Sequence, residues 1–140
     1  MSLELTGAAS VAFLLARVLV GGVLAFMGLN HFLDVDAMAG YAEAKDLPAP
    51  RLAVLASGGT LLFGGLSVAA GVFPAVGAGA LALFLLVATP TMHDFWSFED
   101  PEQVQAEMTN FLKNVALLGA TLGFLALSAT EWPYAVGVGL

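Results

Sequence analysis

The stretch AASVAFLLARVLVGGVLAFMGL, residues 8–29, decides the fold. It is as long as the ~20 apolar residues that cross a hydrocarbon core, and a single charge, Arg17, interrupts it. Three further runs, residues 52–73, 75–92 and 111–129, approach or reach the same length. The expected fold is all-α: an integral membrane four-helix bundle of antiparallel, up-down spans that takes in residues 1–140 as one domain. The bulk numbers agree, with 59% hydrophobic and only 11% charged residues, far from the balance of a water-soluble chain. The N-terminal stretch lacks the basic region and small-residue cleavage site of a signal peptide, and Arg17 breaks what would be its apolar core, so the first span is expected to be retained.

Composition narrows the function classes. A formal net charge of −7 argues against nucleic acid as a partner. The sequence has no cysteine, which removes disulfides, thiolate metal centres and thiol relays and leaves any redox chemistry to a bound cofactor.

Arg17, Gly21, Gly28 and His31 share one face of the first span, at helical offsets of four, seven and three. Thr60, Gly64, Ser67 and Gly71 make a similar stripe on the second, and Gly119 and Gly123 form a small-xxx-small pair on the fourth. Such faces let helices approach closely in lipid, inside one bundle or between copies in a homo-oligomer. The connection from Asp34 to Pro50 offers helix-cap candidates Asp34 and Asp36, then Val35, Met38, Ala39 and Ala42, and stops at Pro48 and Pro50. A short interfacial helix is expected there. Gly71 to Pro74 is long enough only for a turn between antiparallel spans. Asp100-Pro101-Glu102-Gln103 reads as an N-cap, a proline at the first helical position and a capping-box glutamine, so the fourth helix starts well before its apolar part. Gln103, Glu107, Asn110, Asn114 and Thr121 then line one face that descends into the membrane.

Alternating directions bring His31, Arg51, His93, Asp94, Trp96, Glu107 and Lys113 to one membrane face. By the positive-inside rule, Lys45, Arg51 and Lys113 vote for that face being cytoplasmic in a multi-pass protein of the cell membrane. Ionisable groups beside lipid are functional-site candidates by default. Pro90 cannot donate to the Leu86 carbonyl and should bend the helix just before His93. A neutral His93 could exchange protons or bind a metal, with Asp94 or Glu107 setting its tautomer; the plainer alternative is a hydrogen bond to the fourth helix. His31, His93 and one carboxylate would make a metal site only if they met, and no short-range spacing supports this, so no metal ligand is assigned. Lys113 either snorkels outward as an anchor or turns, with Asn110 and Asn114, into a polar pocket. Arg17 sits roughly 14 Å into the first span by helix rise. Its partner must be a carbonyl, a hydroxyl such as Thr60, water, Glu131 or a ligand.

Arg17 with Gly21 and Gly28, the connection from Tyr41 to Leu47-Pro48-Ala49-Pro50, His93-Asp94-Phe95-Trp96 and Phe111-Leu112-Lys113-Asn114-Val115-Ala116-Leu117-Leu118-Gly119 together resemble the DoxX family of small four-helix membrane proteins. The resemblance implies a bundle linked to quinone chemistry, since relatives include subunits of a thiosulfate:quinone oxidoreductase and of a terminal quinol oxidase. It singles out Arg17, His93, Asp94, Trp96, Lys113 and Asn114. His31 stands where many relatives have lysine and Thr60 where many have glutamate, which weakens a proton relay copied from them.

Three readings follow. In the first, the chain is a quinone-interacting subunit of an oxidoreductase: His93 and Lys113 donate to a quinone carbonyl, Asp94 orients His93, and Arg17, His31, Trp96, Asn110 and Asn114 help hold the cofactor. No flavin, haem or iron–sulfur motif is visible, so a separate soluble or membrane redox subunit would bring the electrons. In the second, the chain is a non-catalytic scaffold of a membrane redox complex. The third is a small transporter or metal-binding membrane protein.

Overall fold

The structure, a computed structural model, describes residues 4–139. Five α-helices follow one another: α1 (Ala8–Leu33), α2 (Val35–Ala44), α3 (Pro50–Ala70), α4 (Pro74–Met92) and α5 (Pro101–Leu127), with a 3-10 turn at Phe95–Ser97 before the last. α1, α3, α5 and the α4 segment are each long and apolar enough to cross a membrane, and α2 is the short connecting helix. Among the described residues there is no strand; the β-type pairing is one isolated parallel bridge, Val72 to Val138.

Proline and glycine punctuate the chain. Pro50, Pro74 and Pro101 stand at the starts of α3, α4 and α5, where a missing N–H costs nothing and the fixed φ suits the first turn. The second span ends at Gly71, whose φ of 71° is left-handed, rather than running on to Phe73. The fourth helix starts at Pro101, two turns and more before its apolar part, although Asp100 makes no side-chain capping bond.

α3 packs against both α1 and α4, and α4 against α5; α1 and α5 barely meet. The α1–α3 contact is close because both helices present glycine. A Cβ on Gly21 would lie 2.5 Å from the Gly65 carbonyl oxygen, and one on Gly28 would lie 2.6 Å from that of Gly58. Two glycine pairs, seven residues apart on each antiparallel helix, thus bring the backbones together, where dispersion between tightly packed surfaces does the work that water expulsion does elsewhere. Gly119 and Gly123 differ: a Cβ on either would meet nothing within 4 Å. Their small face looks out of the bundle.

Leu24, Leu61, Val68, Ala78, Leu81 and Leu85 fill the interior. Large apolar side chains such as Leu19, Phe26, Phe63 and Leu83 are exposed around the outside, as expected where the solvent is lipid. α2 lies across one end of the bundle, packed on α3. At the other end the chain folds back after α5: Val136 N donates to Ala70 O, Gly137 N to Gly71 O and Phe73 N to Val138 O, so the C-terminal segment pairs with the α3–α4 turn.

Candidate functional site

The end of the bundle that α2 covers gathers most of the titratable side chains. Pro90 sits inside α4, which stops at Met92, so His93 and Asp94 leave the helix at its C-terminal end. Because α5 begins at Pro101, its first turns rise beside them and bring Glu107 opposite His93. His93 Nδ1 lies 2.7 Å from Glu107 Oε2. Both side chains are largely buried, 23% and 18% exposed.

α2 adds a second layer. The Tyr41 hydroxyl donates to the Met92 carbonyl at 3.3 Å and lies 3.5 Å from Glu107 Oε1. Desolvation, and after it the charge of Glu107, push the Tyr41 phenol up, so it remains a donor. Lys45 donates to Asp94 in an ion pair, with its ammonium 5.0 Å from the centre of the Phe98 ring. Burial draws the Lys45 ammonium down, but the bond and charge of Asp94 outweigh it and hold the group above lysine's ordinary value. Arg51 pairs with Asp36 at 2.6 Å on the open surface, where such pairs contribute little.

Three rings border this network. Phe95, Trp96 and Phe111 meet edge to face, with centroids 5.2 to 5.9 Å apart. Phe95 follows His93 by two residues and Phe111 lies one helical turn beyond Glu107. Trp96 is 59% exposed, so one ring of the trio faces outward.

The polar stripe of α5 runs inward: Gln103 is exposed, Glu107 and Asn110 are half-buried, and Asn114 and Thr121 are buried. Thr89, one turn below His93 on α4, is buried with its hydroxyl unpartnered. Lys113 points out of the bundle and is exposed. The structure thus brings His93 and Asp94 to one cluster and leaves Lys113 out of it. Asp94 faces Lys45, and the residue on the His93 ring is Glu107.

His31 and Arg17 lie apart from this cluster. His31 Nδ1 donates to the Met27 carbonyl of its own helix at 2.8 Å, and its Cβ packs where a side chain on Gly58 would go. Among the described residues no group of three or more His, Asp or Glu is set to hold a metal ion. Arg17 is completely buried and reaches toward the opposite end, donating to Pro133 O at 2.7 Å, Tyr134 O at 3.0 Å and Ala69 O at 3.3 Å. Its guanidinium also lies over the rings of Phe13 and Trp132. Of the partners open to it from sequence, backbone carbonyls take its two terminal nitrogens, two of them from the returning C-terminal segment, while its buried Nε has no hydrogen-bond partner; Thr60 bonds its own helix instead.

Two open grooves mark the surface. One, of about 550 Å³, lies between α3 and α4 and is lined by Thr60, Phe63, Ser67, Phe73, Val76 and Ala80. The other, about 610 Å³, runs along the first turns of α5 past Glu102, Gln105, Thr109 and Asn110. Neither is lined by His93 or Asp94.

Sequence reasoning did not place Tyr41 and Lys45 in the site, and it left Glu107 as one of two partners for His93. The available signal was the interfacial helix itself, since an amphipathic segment that must lie across the bundle end carries its polar residues to whatever that end exposes.

A family model described as DoxX matches residues 12–94, more than half of the 140 residues. The match runs from α1 through His93 and Asp94 and ends before α5. No curated protein and no solved structure matches the chain.

Proposed function

The chain belongs to the DoxX family, and from that footing we propose that this multi-pass membrane protein binds the ring of a lipophilic quinone at the bundle end that α2 covers. One observation carries the reading: a paired imidazole and carboxylate, His93 and Glu107, stand at the membrane edge beside the Phe95–Trp96–Phe111 trio. A quinone partitions into lipid, so its ring arrives at the depth where these groups lie. The aromatic edges suit a flat ring, and the imidazole suits an oxygen whose protonation changes with redox state.

Roles within the site follow from the contacts. His93 meets the ring oxygen, Glu107 orients His93, and Tyr41 and Lys45 hold α2 over the site through Glu107, Met92 and Asp94. Lys113 and Asn110, further along α5, would border the approach from lipid, with Asn114 buried behind them. Electrons would come from a separate redox subunit, because the cysteine-free chain supports no cluster of its own. The face carrying Lys45, Arg51 and Lys113 is the cytoplasmic one. Extraction from native membrane, followed by mass spectrometry of what stays bound, tests this. A quinone retained by the protein supports it; purified protein carrying only bulk lipid counts against it.

A second reading, a scaffold subunit, is favoured by the outward face of α5, where Gly119 and Gly123 meet nothing within 4 Å. Replacing both with leucine should leave folding unchanged and abolish assembly if that face holds a partner helix. Assembly that survives the change sets this reading aside.

A further inference from the structure

The site's hydrogen-bonding direction is fixed by Glu107. An ionised carboxylate only accepts, and the second oxygen of Glu107 already faces the Tyr41 hydroxyl. The His93 ring nitrogen at 2.7 Å must therefore be the donor. A neutral imidazole has one N–H. With that proton on Nδ1, Nε2 carries a lone pair and accepts. Nε2 has no hydrogen bond among the described residues, and the ring keeps about a fifth of its surface open. The titratable groups around it are Tyr41 and Lys45 from α2, Asp94 from the segment after α4, and Glu107 from α5. The Lys45 ammonium is held by Asp94.

We propose that the site takes the reduced, hydroxyl-bearing form of its ring, a hydroquinone, in preference to the oxidised quinone, because Glu107 holds His93 as an acceptor. The inference rests on the quinone reading above. A hydroquinone O–H donates to Nε2 and keeps its proton, while Nδ1–H stays on Glu107; no bond breaks and no electron moves. A quinone carbonyl would set acceptor against acceptor at the same place. Glu107 is a positioning residue here, acting through the His93 ring.

The test uses the full chain in lipid nanodiscs, without oxygen, at a pH of about 8, above the ordinary imidazole range near 6.5. A decyl-substituted benzoquinone and its dithionite-reduced hydroquinone are titrated separately. The reduced form should bind roughly tenfold more tightly, as one gained hydrogen bond against one lone-pair clash implies. Glu107→Gln, whose amide can accept or donate, should shrink the ratio to about threefold or less, and Glu107→Asp should restore part of it. The sequence has two histidines, so 15N spectra with His31→Gln assign the His93 ring, which should show a protonated Nδ1 and a bare Nε2. Equal or tighter binding of the oxidised form, with binding present, overturns this proposal alone. Binding of neither form overturns the quinone reading, and this inference falls with it.

Discussion

His93 Nδ1 and Glu107 Oε2, 2.7 Å apart and fourteen residues apart in sequence, tie the end of α4 to the first turns of α5. The contact exists because two local signals act together. Pro90 lies two residues before the end of α4, and Asp100-Pro101 starts α5 early enough to bring Glu107 alongside. The group best suited to proton exchange is thereby part of the helix packing, and α2 is fastened over it by Tyr41 and Lys45.

Removing the Lys45–Asp94 pair should loosen that cover. Both side chains are more than three-quarters buried, so Asp94→Asn leaves the Lys45 ammonium poorly paired, and a loss of about 1–3 kcal/mol is expected. Thermal unfolding in detergent and proteolysis within residues 34–50 read the effect. The Lys45 ammonium is held above its ordinary value. Its contribution is therefore complete below about pH 10.4 and is lost only as pH rises through the raised value. Unchanged cleavage of α2 in the variant would show that other contacts hold it.

The α1–α3 seam should tolerate no added atoms. A Cβ on Gly65 would lie 2.6 Å from the backbone nitrogen of Ala25, so Gly65→Ala must push the helices apart, at about 1–3 kcal/mol. Gly22→Ala, with nothing within 4 Å, should be neutral or stabilising by up to ~1 kcal/mol, the helix-propensity gain. Equal unfolding midpoints for the two variants would contradict the packing described.

Arg17 should govern the C-terminal segment rather than the polar end. Arg17→Met removes the donors to Pro133, Tyr134 and Ala69 and is expected to cost about 1–3 kcal/mol. Hydrogen exchange across residues 132–138 should rise. Arg17→Lys should recover only part of the protection, since one ammonium cannot reproduce the guanidinium fork. Protection that survives Arg17→Met would mean the pairing with Ala70, Gly71 and Phe73 is sufficient alone.

Much of the fold is legible in the sequence, because hydrocarbon thickness sets span length and proline and glycine mark the ends. The spans, the interfacial helix, the Gly71 turn and the early start of α5 all follow from such local rules. The return of Trp132 to Gly139 onto the α3–α4 turn does not, since its partners are backbone groups far away in the chain, and backbone carbonyls leave no trace in residue identity. The same reason hides the partners of Arg17. In the candidate site, the convergence of His93, Asp94 and Glu107 follows from alternating span directions. Which carboxylate meets which base depends on how α2 lies across the bundle, and its polar residues carry no spacing relative to α4 and α5. Gly119-xxx-Gly123 shows the opposite limit: a small-residue pair marks a face able to pack closely, yet the chain itself leaves that face open.

The most direct measurement of the central claim is binding of the reduced quinone, the hydroquinone, by His93→Ala against the unaltered protein, both in nanodiscs without oxygen, with Lys113→Ala as the comparison. Loss of roughly tenfold or more in affinity is predicted for His93→Ala, as removal of the group that meets the ring oxygen implies. Lys113, which is exposed, should change affinity by less than about threefold. Identical titration curves for His93→Ala and the unaltered protein would contradict the account.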